Sequence, residues 1–541
     1  MKLRIIPLGG QSNVTRNMYV YEYWENNSIK DIVLVDAGVG FVSELQNLGV
    51  DFMIPDISYL KDKTDKIRAL LITHGHDDHI GATPYLLPQL GYPPIFAPKL
   101  AALLIKEKLE ELNITNYKLE TIKPRYDYEF SAFKARYIEM THSIPDTFHI
   151  YFQTPAGNVY HGSDFKFDLT PVFGNPPDFQ EINRASSQGI KLLLSDALGA
   201  EREGYTLSER IVGETFEEEL RKTKGRFFMT TFASNLSRIK QCVQAALMFN
   251  RKLCFIGRTM KRNMEIALTE GYIKLDRQHI VDEKQLKRVP QNRICLILTG
   301  SQGEFGSALD KIAAGRHRFV KVEKSDRILF SSDPIPGNEV HIQEVIENLI
   351  ERGAEVIYTA IRDQLHTSGH GSQGDHKLLV RLTKPQYLVP IGTTIKHARA
   401  YANVMQDLGY PEEKVFRLHD GEPLVLENNK IYTEKPLSLK DMMVDGHSIG
   451  DVGYTILKER ESLGKEGVLV VVVKGKEVEL ISKGFVFYEK KLFQEIEVLA
   501  KRVINKSKSP KYLTDNLITE IKGFIQTKME RAPEVIPVIV K

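Results

Sequence analysis

Apolar and polar positions alternate in short blocks along the first 200 residues. Ile32-Val33-Leu34-Val35 stops at Asp36, and Ala69-Leu70-Leu71-Ile72-Thr73 stops at His74. Ala135 to Thr141 runs into His142, and Val159 to Ser163 runs into Asp164. Each block predicts a strand that delivers a polar residue at its C-terminal edge, where the sites of α/β sheets collect.

From about Ser208 to Ile350 the pattern becomes strand, helix, strand. Arg226 to Thr231 predicts a strand, and from Asn235 onward Leu236, Ile239, Val243 and Leu247 fall on one helical face. Arg293 to Thr299 and Arg327 to Ser331 predict further strands, as expected of an inserted α/β domain. Strands near Glu355 to Ala360 and Tyr387 to Gly392 follow. A polar stretch, Asn428 to Lys440, then precedes a small α+β tail that begins near Gly467. The expected segments are 1–207, 208–355, 356–440 and 450–541.

Composition narrows the class. The 541 residues are 42% hydrophobic and 26% charged, which fits globular protein and excludes disorder, collagen and disulfide scaffolds. The longest apolar run, Val468 to Val473, falls far short of the roughly 20 residues of a membrane span. Met1 to Pro7 shows no signal-peptide core, and three scattered cysteines suit reduced core thiols, so a cytoplasmic protein without membrane attachment is expected. A net charge of +3 neither demands nor excludes a polyanionic partner.

His74-Gly75-His76-Asp77-Asp78-His79 packs three imidazoles and two carboxylates into six residues directly after a predicted strand. Imidazole suits Zn²⁺ or a similar first-row metal, and carboxylate suits the harder partner of a two-metal pair. A polar surface turn is the bland alternative. His142 and Asp164, alone, would read as a core histidine and a helix cap; beside the cluster they read as ligands. Asp36 is placed to orient a ligand imidazole, while His149 and His161 read as structural. Ser234-Asn235 opens a helix after a strand, and His366-Thr367-Ser368-Gly369-His370 follows a strand with a glycine for close approach. Both loops suit phosphate, although a serine at a helix N-cap is mostly just a cap.

The sequence His-x-His-x-Asp-His, followed later by His and then Asp, resembles the signature of the metallo-β-lactamase fold. Its continuation resembles the β-CASP nucleases, most closely the ribonuclease J family. The likeness runs through Ile54-Pro55-Asp56, His142-Ser143-Ile144-Pro145-Asp146, Gly162 to Asp168 and Phe232-Ala233-Ser234-Asn235. It continues through Thr299 to Glu304, Pro334 to Glu339, His366-x-Ser368-Gly369-His370, Gly450 to Gly453 and Ile536 to Ile539. The implied architecture is α/β. A metallo-β-lactamase αββα sandwich (1–207, completed by 356–440) carries an inserted β-CASP α/β domain (208–355) and a small C-terminal α+β oligomerisation domain (450–541).

The resemblance also implies roles. One metal would sit on His74, His76 and His142, the other on Asp78 and His79, with Asp164 bridging; Zn is expected, with Mn or Mg as alternatives. Hydroxide would attack phosphorus at this two-metal centre, Asp196 would support the site, and His370 would protonate the leaving oxygen. Ser234, Asn235 and His366, Thr367, Ser368, Gly369 and His370 match positions that hold substrate phosphate. The implied activity is 5′-to-3′ degradation of single-stranded RNA bearing a 5′-monophosphate, with some internal cleavage, in rRNA processing and mRNA decay. Homodimers, homotetramers or a hetero-oligomer with a related subunit are implied as well.

Two departures mark a divergent member. The family's third β-CASP histidine, a ligand of the second metal, is matched here by Gly392, so that site is expected to bind more weakly unless His397 reaches in. The loop Gly9 to Asn17 lacks the family's Glu-Ile-Gly. A weakened paralogue serving as partner subunit or RNA scaffold is the principal alternative. A small-ester hydrolase and a DNA-directed β-CASP enzyme fit the loops and motifs less well.

Overall fold

Strands buried on both faces carry near-continuous apolar runs, and the first half of this chain is built from them. The computed structural model describes all residues except 12, 42–47, 336, 447, 451–452, 486–489, 508–509 and 541. Ser12, Pro336, Asp451 and Val452, which belong to motifs quoted above, therefore lie outside the described residues. Two compact units form: Met1–Ser43 with Met53–Met442, and Glu44–Phe52 with Met443–Lys541.

In the first unit, an eight-stranded sheet runs in the order Lys430–Thr433, Leu424–Glu427, Lys2–Gly9, Met18–Glu25, Ser28–Val35, Ile67–Leu71, Ile95–Ala97, Leu119–Thr121. A six-stranded sheet runs Tyr387–Ile391, Leu192–Asp196, Val159–Gly162, Thr147–Gln153, Phe133–Met140, Asp127–Phe130. Leu3, Tyr21, Val33 and Leu71 of the first sheet share one core with Ala135, Ile150, Leu194 and Val389 of the second. Outside the six-stranded sheet, Ile182, Leu379 and Tyr401 come from the helices Phe179–Ser187, Gln373–Thr383 and Ile395–Asp407. They pack on Ile138, Tyr160 and Leu193. The helix Lys99–Glu111 lies against Ile95–Ala97 on the other side. The result is an αββα sandwich, closed by a late strand, Tyr387–Ile391, that pairs in parallel with Leu192–Asp196.

Between these segments the chain forms a separate parallel sheet. Its order is Lys252–Ile256, Ile294–Leu298, Phe227–Thr230, Arg327–Phe330, Glu355–Ile357. Parallel strands need crossovers, which the helices Leu236–Met248, Arg258–Thr269 and Glu339–Glu351 supply. Two sequence expectations shift. The strand expected to reach Thr73 ends at Leu71, which leaves His74 in the following loop. The polar stretch after Asn428 contains a strand, Lys430–Thr433. It returns on Leu424–Glu427 through Asn428 and Asn429, whose φ of 48° and 64° are the positive values that two-residue hairpins favour.

The second unit places the strands Glu477–Lys483, Val468–Lys474 and Glu534–Val540 against the helices Lys490–Lys506 and Pro510–Met529. Leu469, Val471 and Val473 alternate inward onto Ile496, Leu517 and Ile521. The longest apolar run is therefore a strand. Among the described residues no helix is long and apolar enough to cross a membrane.

Candidate metal centre

Four strand ends converge here. His74 follows Ile67–Leu71, and His76 caps a single helical turn, Asp77–Ile80, that carries Asp78 and His79. That turn lies against the loop after Ser28–Val35 through bonds from Ala37 N to His79 O (2.7 Å) and Val39 N to Asp77 O (3.0 Å). A Cβ on Gly38 would lie 1.6 Å from Asp78 O, so only glycine permits this approach. His142 and Asp164 leave Phe133–Met140 and Val159–Gly162. Lys166 N donates to Thr141 O (2.8 Å) and locks the two loops side by side.

The candidate ligand atoms face one another. His76 Nδ1 lies 3.1 Å from both His74 Nε2 and His142 Nε2. Asp164 Oδ2 is 3.8 Å from His74 Nε2, 3.6 Å from His142 Nε2 and 3.4 Å from His79 Nε2. Asp78 Oδ2 lies 3.6 Å from the same His79 nitrogen. A tetrahedral ion with nitrogen ligands at about 2.0–2.1 Å spaces them about 3.4 Å apart, so the first group fits such an ion. His74, His76, His142 and Asp164 form one set, and Asp78, His79 and Asp164 a second that shares the carboxylate.

Outer contacts fix the ring tautomers, as metal-ligating histidines require. His142 Nδ1 donates to Gly369 O (2.7 Å), and His79 Nδ1 donates to Asp36 Oδ2 (2.8 Å). Thr73 Oγ1 donates to Asp36 Oδ2 (2.8 Å), which leaves it to accept from His74 Nδ1 at 3.1 Å. Asp36 thus orients His79 directly and His74 through Thr73.

Electrostatics ready the first set for a metal, whereas in the second burial is overcome by Asp164, Asp78 and Asp36, which hold His79 well above the usual histidine range. Burial, reinforced by neighbouring imidazoles, pushes His74 and His142 well below the usual histidine range, and burial takes His76 down to about 4. All three therefore offer lone pairs at neutral pH. Burial opposes ionisation of Asp164, but His79 and His370 outweigh it and hold that carboxyl well below its ordinary value. Burial lifts Asp78 to about 6.

The second set is the sparser one. Gly392 has φ +60°, and a Cβ built there would lie 3.7 Å from Asp164 Oδ1 and 3.9 Å from Asp196 Oδ1. The position faces the centre but contributes no atom. His397 does not substitute for it: its Nδ1 lies 3.0 Å from Thr394 Oγ1 and its Nε2 3.4 Å from Glu201. Asn17, from the divergent loop, instead brings Nδ2 to 3.2 Å from His79 Nε2.

His370 joins from the other side of Asp164. Its Nδ1 is 2.9 Å from Asp196 Oδ2, and its Nε2 is 3.9 Å from Asp164 Oδ2. The loop that holds it is tied inward at several points. Thr367 Oγ1 donates to Leu207 O (2.9 Å), and Ser368 Oγ accepts from Arg202 Nη2 (2.9 Å) and His370 N (3.0 Å). His366 Nδ1 accepts from Arg238 Nη1 (3.2 Å). Asn235 is the N-cap of Leu236–Met248, its side chain accepting from Arg238 N (3.0 Å), while Ser234 beside it is half-buried. His149 and His161 lie apart, against Tyr160 Oη (3.2 Å) and Tyr21 Oη (2.8 Å).

Comparison with known proteins agrees with this geometry. Residues 14–184 match the metallo-beta-lactamase superfamily, 224–349 the ribonuclease J beta-CASP domain and 455–541 the ribonuclease J C-terminal domain. The chain is 34% identical to Ribonuclease J 1 of Streptococcus pyogenes, over 99% of this chain and 97% of that one. The chain belongs to the ribonuclease J family. Other ribonuclease J relatives include Ribonuclease J2 of Bacillus subtilis, 32% identical over 100% of this chain and 98% of its own. Ribonuclease J of Thermus thermophilus is 32% identical over 100% and 95%. Among solved structures, an Enterococcus faecalis protein of unknown function shares the fold at a TM-score of 0.53 and 13% identity, covering 79% of this chain and all of that one.

The sequence alone did not point to Asn17, Arg202 or Arg238 as neighbours of the site. Thr73 was detectable only by its place directly before His74.

Proposed function

We propose that the chain degrades single-stranded RNA in the 5′-to-3′ direction from a 5′-monophosphate end, with some internal cleavage, at a two-metal centre. As a member of the ribonuclease J family it is a metal-dependent ribonuclease, a hydrolytic enzyme. The observation that carries the finer reading is the position of Asp164 Oδ2, within 3.4–3.9 Å of imidazole nitrogens of His74, His79, His142 and His370. One carboxylate oxygen is thereby shared between two ligand sets and the proposed acid.

Metal ions held by His74, His76, His142 and Asp164, and by Asp78, His79 and Asp164, would supply an activated water and positive charge for the phosphate. Three neutral imidazoles favour Zn²⁺ in the first set, while Mn²⁺ or Mg²⁺ would suit the oxygen-richer second set. His370 delivers a proton to the leaving oxygen from Nε2. Burial works against its protonation, but Asp196 and Asp164 overcome this and raise it to about 9, so the acid form prevails at neutral pH. Ser234, the helix N-terminus at Asn235 and the loop from His366 to His370 hold the substrate phosphate. Asn235 acts there as the cap that fixes the helix N-terminus: its side chain accepts from Arg238 N (3.0 Å) and its own N donates to Phe232 O (3.1 Å).

The three cysteines are buried and free, which supports a reducing, cytoplasmic location. Self-association through the C-terminal domain, or pairing with a related subunit, completes the proposal. Gly392 favours a second reading, a weakened subunit whose second metal is held loosely. Cleavage of matched RNAs with 5′-monophosphate or 5′-triphosphate ends separates the two. The proposal expects mononucleotides released faster from the monophosphate, and the second reading expects neither RNA to be degraded.

A further inference from the structure

Arg238 is the third residue of the helix Leu236–Met248, and its side chain is completely buried. Its guanidinium touches three separate segments. Nη1 donates to Ser331 O (2.7 Å), Ser331 Oγ (2.9 Å), Leu365 O (3.3 Å) and His366 Nδ1 (3.2 Å). Nη2 donates to Glu209 Oε2 (3.1 Å) and Thr367 O (3.5 Å). Glu209 also faces Lys166 Nζ at 3.4 Å, and its backbone N donates to Asp168 Oδ2 (2.9 Å). Lys166 in turn lies two residues beyond Asp164.

We propose that Arg238 is a positioning residue for hydrolysis, setting where the loop 366–370, and with it the His370 imidazole, stands relative to Asp164. The inference rests on the functional reading above, in which His370 donates the leaving-group proton. Residues 365–371 form neither helix nor strand, so their carbonyls must be held from outside. Gly369 O is held by His142, and His370 O by Arg202 and Thr206. Thr367 O is held by Arg238, and Leu365 O by Arg238 together with Ser331 Oγ (2.6 Å), a hydroxyl that Arg238 itself bonds. The opposite end of the same guanidinium is anchored, through Glu209 and Lys166, to the chain that carries Asp164.

A buried ion pair adds little net stability over apolar residues of similar size, so stability gives no strong reason to place a cation here. The planar fork supplies the geometric reason. Lysine keeps the charge but lacks the planar fork with which arginine spans Glu209, Ser331 and the 365–367 segment at once.

The test compares two substrates that differ in their need for an acid. RNA must have its departing oxygen protonated, whereas bis(p-nitrophenyl) phosphate releases p-nitrophenolate without a proton. Arg238→Lys is expected to lower RNA hydrolysis at least tenfold and hydrolysis of the activated diester less than threefold. His370→Ala, measured alongside, is expected to lose RNA cleavage by a larger factor than cleavage of the activated diester. If Arg238→Lys does not fold, Glu209→Gln is measured the same way, with at least a threefold selective loss expected. Equal loss on both substrates, or undiminished RNA cleavage, overturns the inference. Wild-type protein unable to cleave RNA contradicts the functional reading itself, and a non-selective His370→Ala contradicts the acid assignment; either takes this inference down with it.

Discussion

His370 Nδ1 lies 2.9 Å from Asp196 Oδ2, and this contact turns the opposite ring nitrogen toward Asp164. Asp196 is fully buried at the end of Leu192–Asp196, and its other oxygen accepts from Leu198 N (2.9 Å), which fixes the carboxylate's orientation. Asp196→Asn removes a carboxylate that keeps the imidazole protonated. Single-turnover RNA cleavage should fall about 10²-fold, within the range of general-acid contributions, with folding retained. A rate within threefold of wild type would contradict the role.

Gly369 is held tight against a proposed ligand. A Cβ there would come within 2.6 Å of His142 Cε1 and 2.8 Å of its Nδ1. Gly369→Ala should tilt that ring and weaken metal binding at the His74, His76, His142 set about 10–100-fold, as loss of outer support does at other metal sites. Metal titration of the stripped variant checks this, and wild-type affinity would show that the loop yields instead.

Gly392→His restores a side chain in ordinary contact distance of Asp164 and Asp196. The positive φ costs about 1 kcal/mol for a residue other than glycine. The variant should melt slightly lower without metal, yet bind its second equivalent more tightly. Unchanged stoichiometry and affinity would show that the vacancy does not limit binding.

Acid should destabilise the metal-free protein. Burial pushes His149 and His161 down to about 3, against about 6.5 in an unfolded chain. Their folded values are depressed, so the unfolded chain binds more protons below about pH 6.5 and stability falls as pH falls. Each histidine contributes a loss of about 2 kcal/mol by pH 5, a window of roughly pH 6.5 to 3. Thermal melts across that window check the slope; a flat profile would contradict neutral burial of these rings.

Much of the candidate centre was legible because its residues follow strand ends. The apolar runs before Asp36, His142 and Asp164 marked the sheet edges, and the spacing of His74, His76, Asp78 and His79 marked the turn between them. What stayed hidden depends on three-dimensional closure. Arg238 meets Glu209 and Leu365 across separations of 29 and 127 residues, which no local pattern encodes. Asn235 illustrates the reverse: its motif suggested a phosphate ligand, and its side chain is spent as a helix cap. His397 lies five residues beyond Gly392, but the helix that begins at Ile395 carries it toward Glu201.

The most direct measurement restores Zn²⁺, Mn²⁺ or Mg²⁺ to metal-stripped protein and follows one labelled 5′-monophosphorylated RNA, with His76→Ala alongside. The account predicts metal-dependent nucleotide release that the variant lacks while remaining folded. Substantial cleavage by His76→Ala, or none by the wild type with any of these metals, would contradict it.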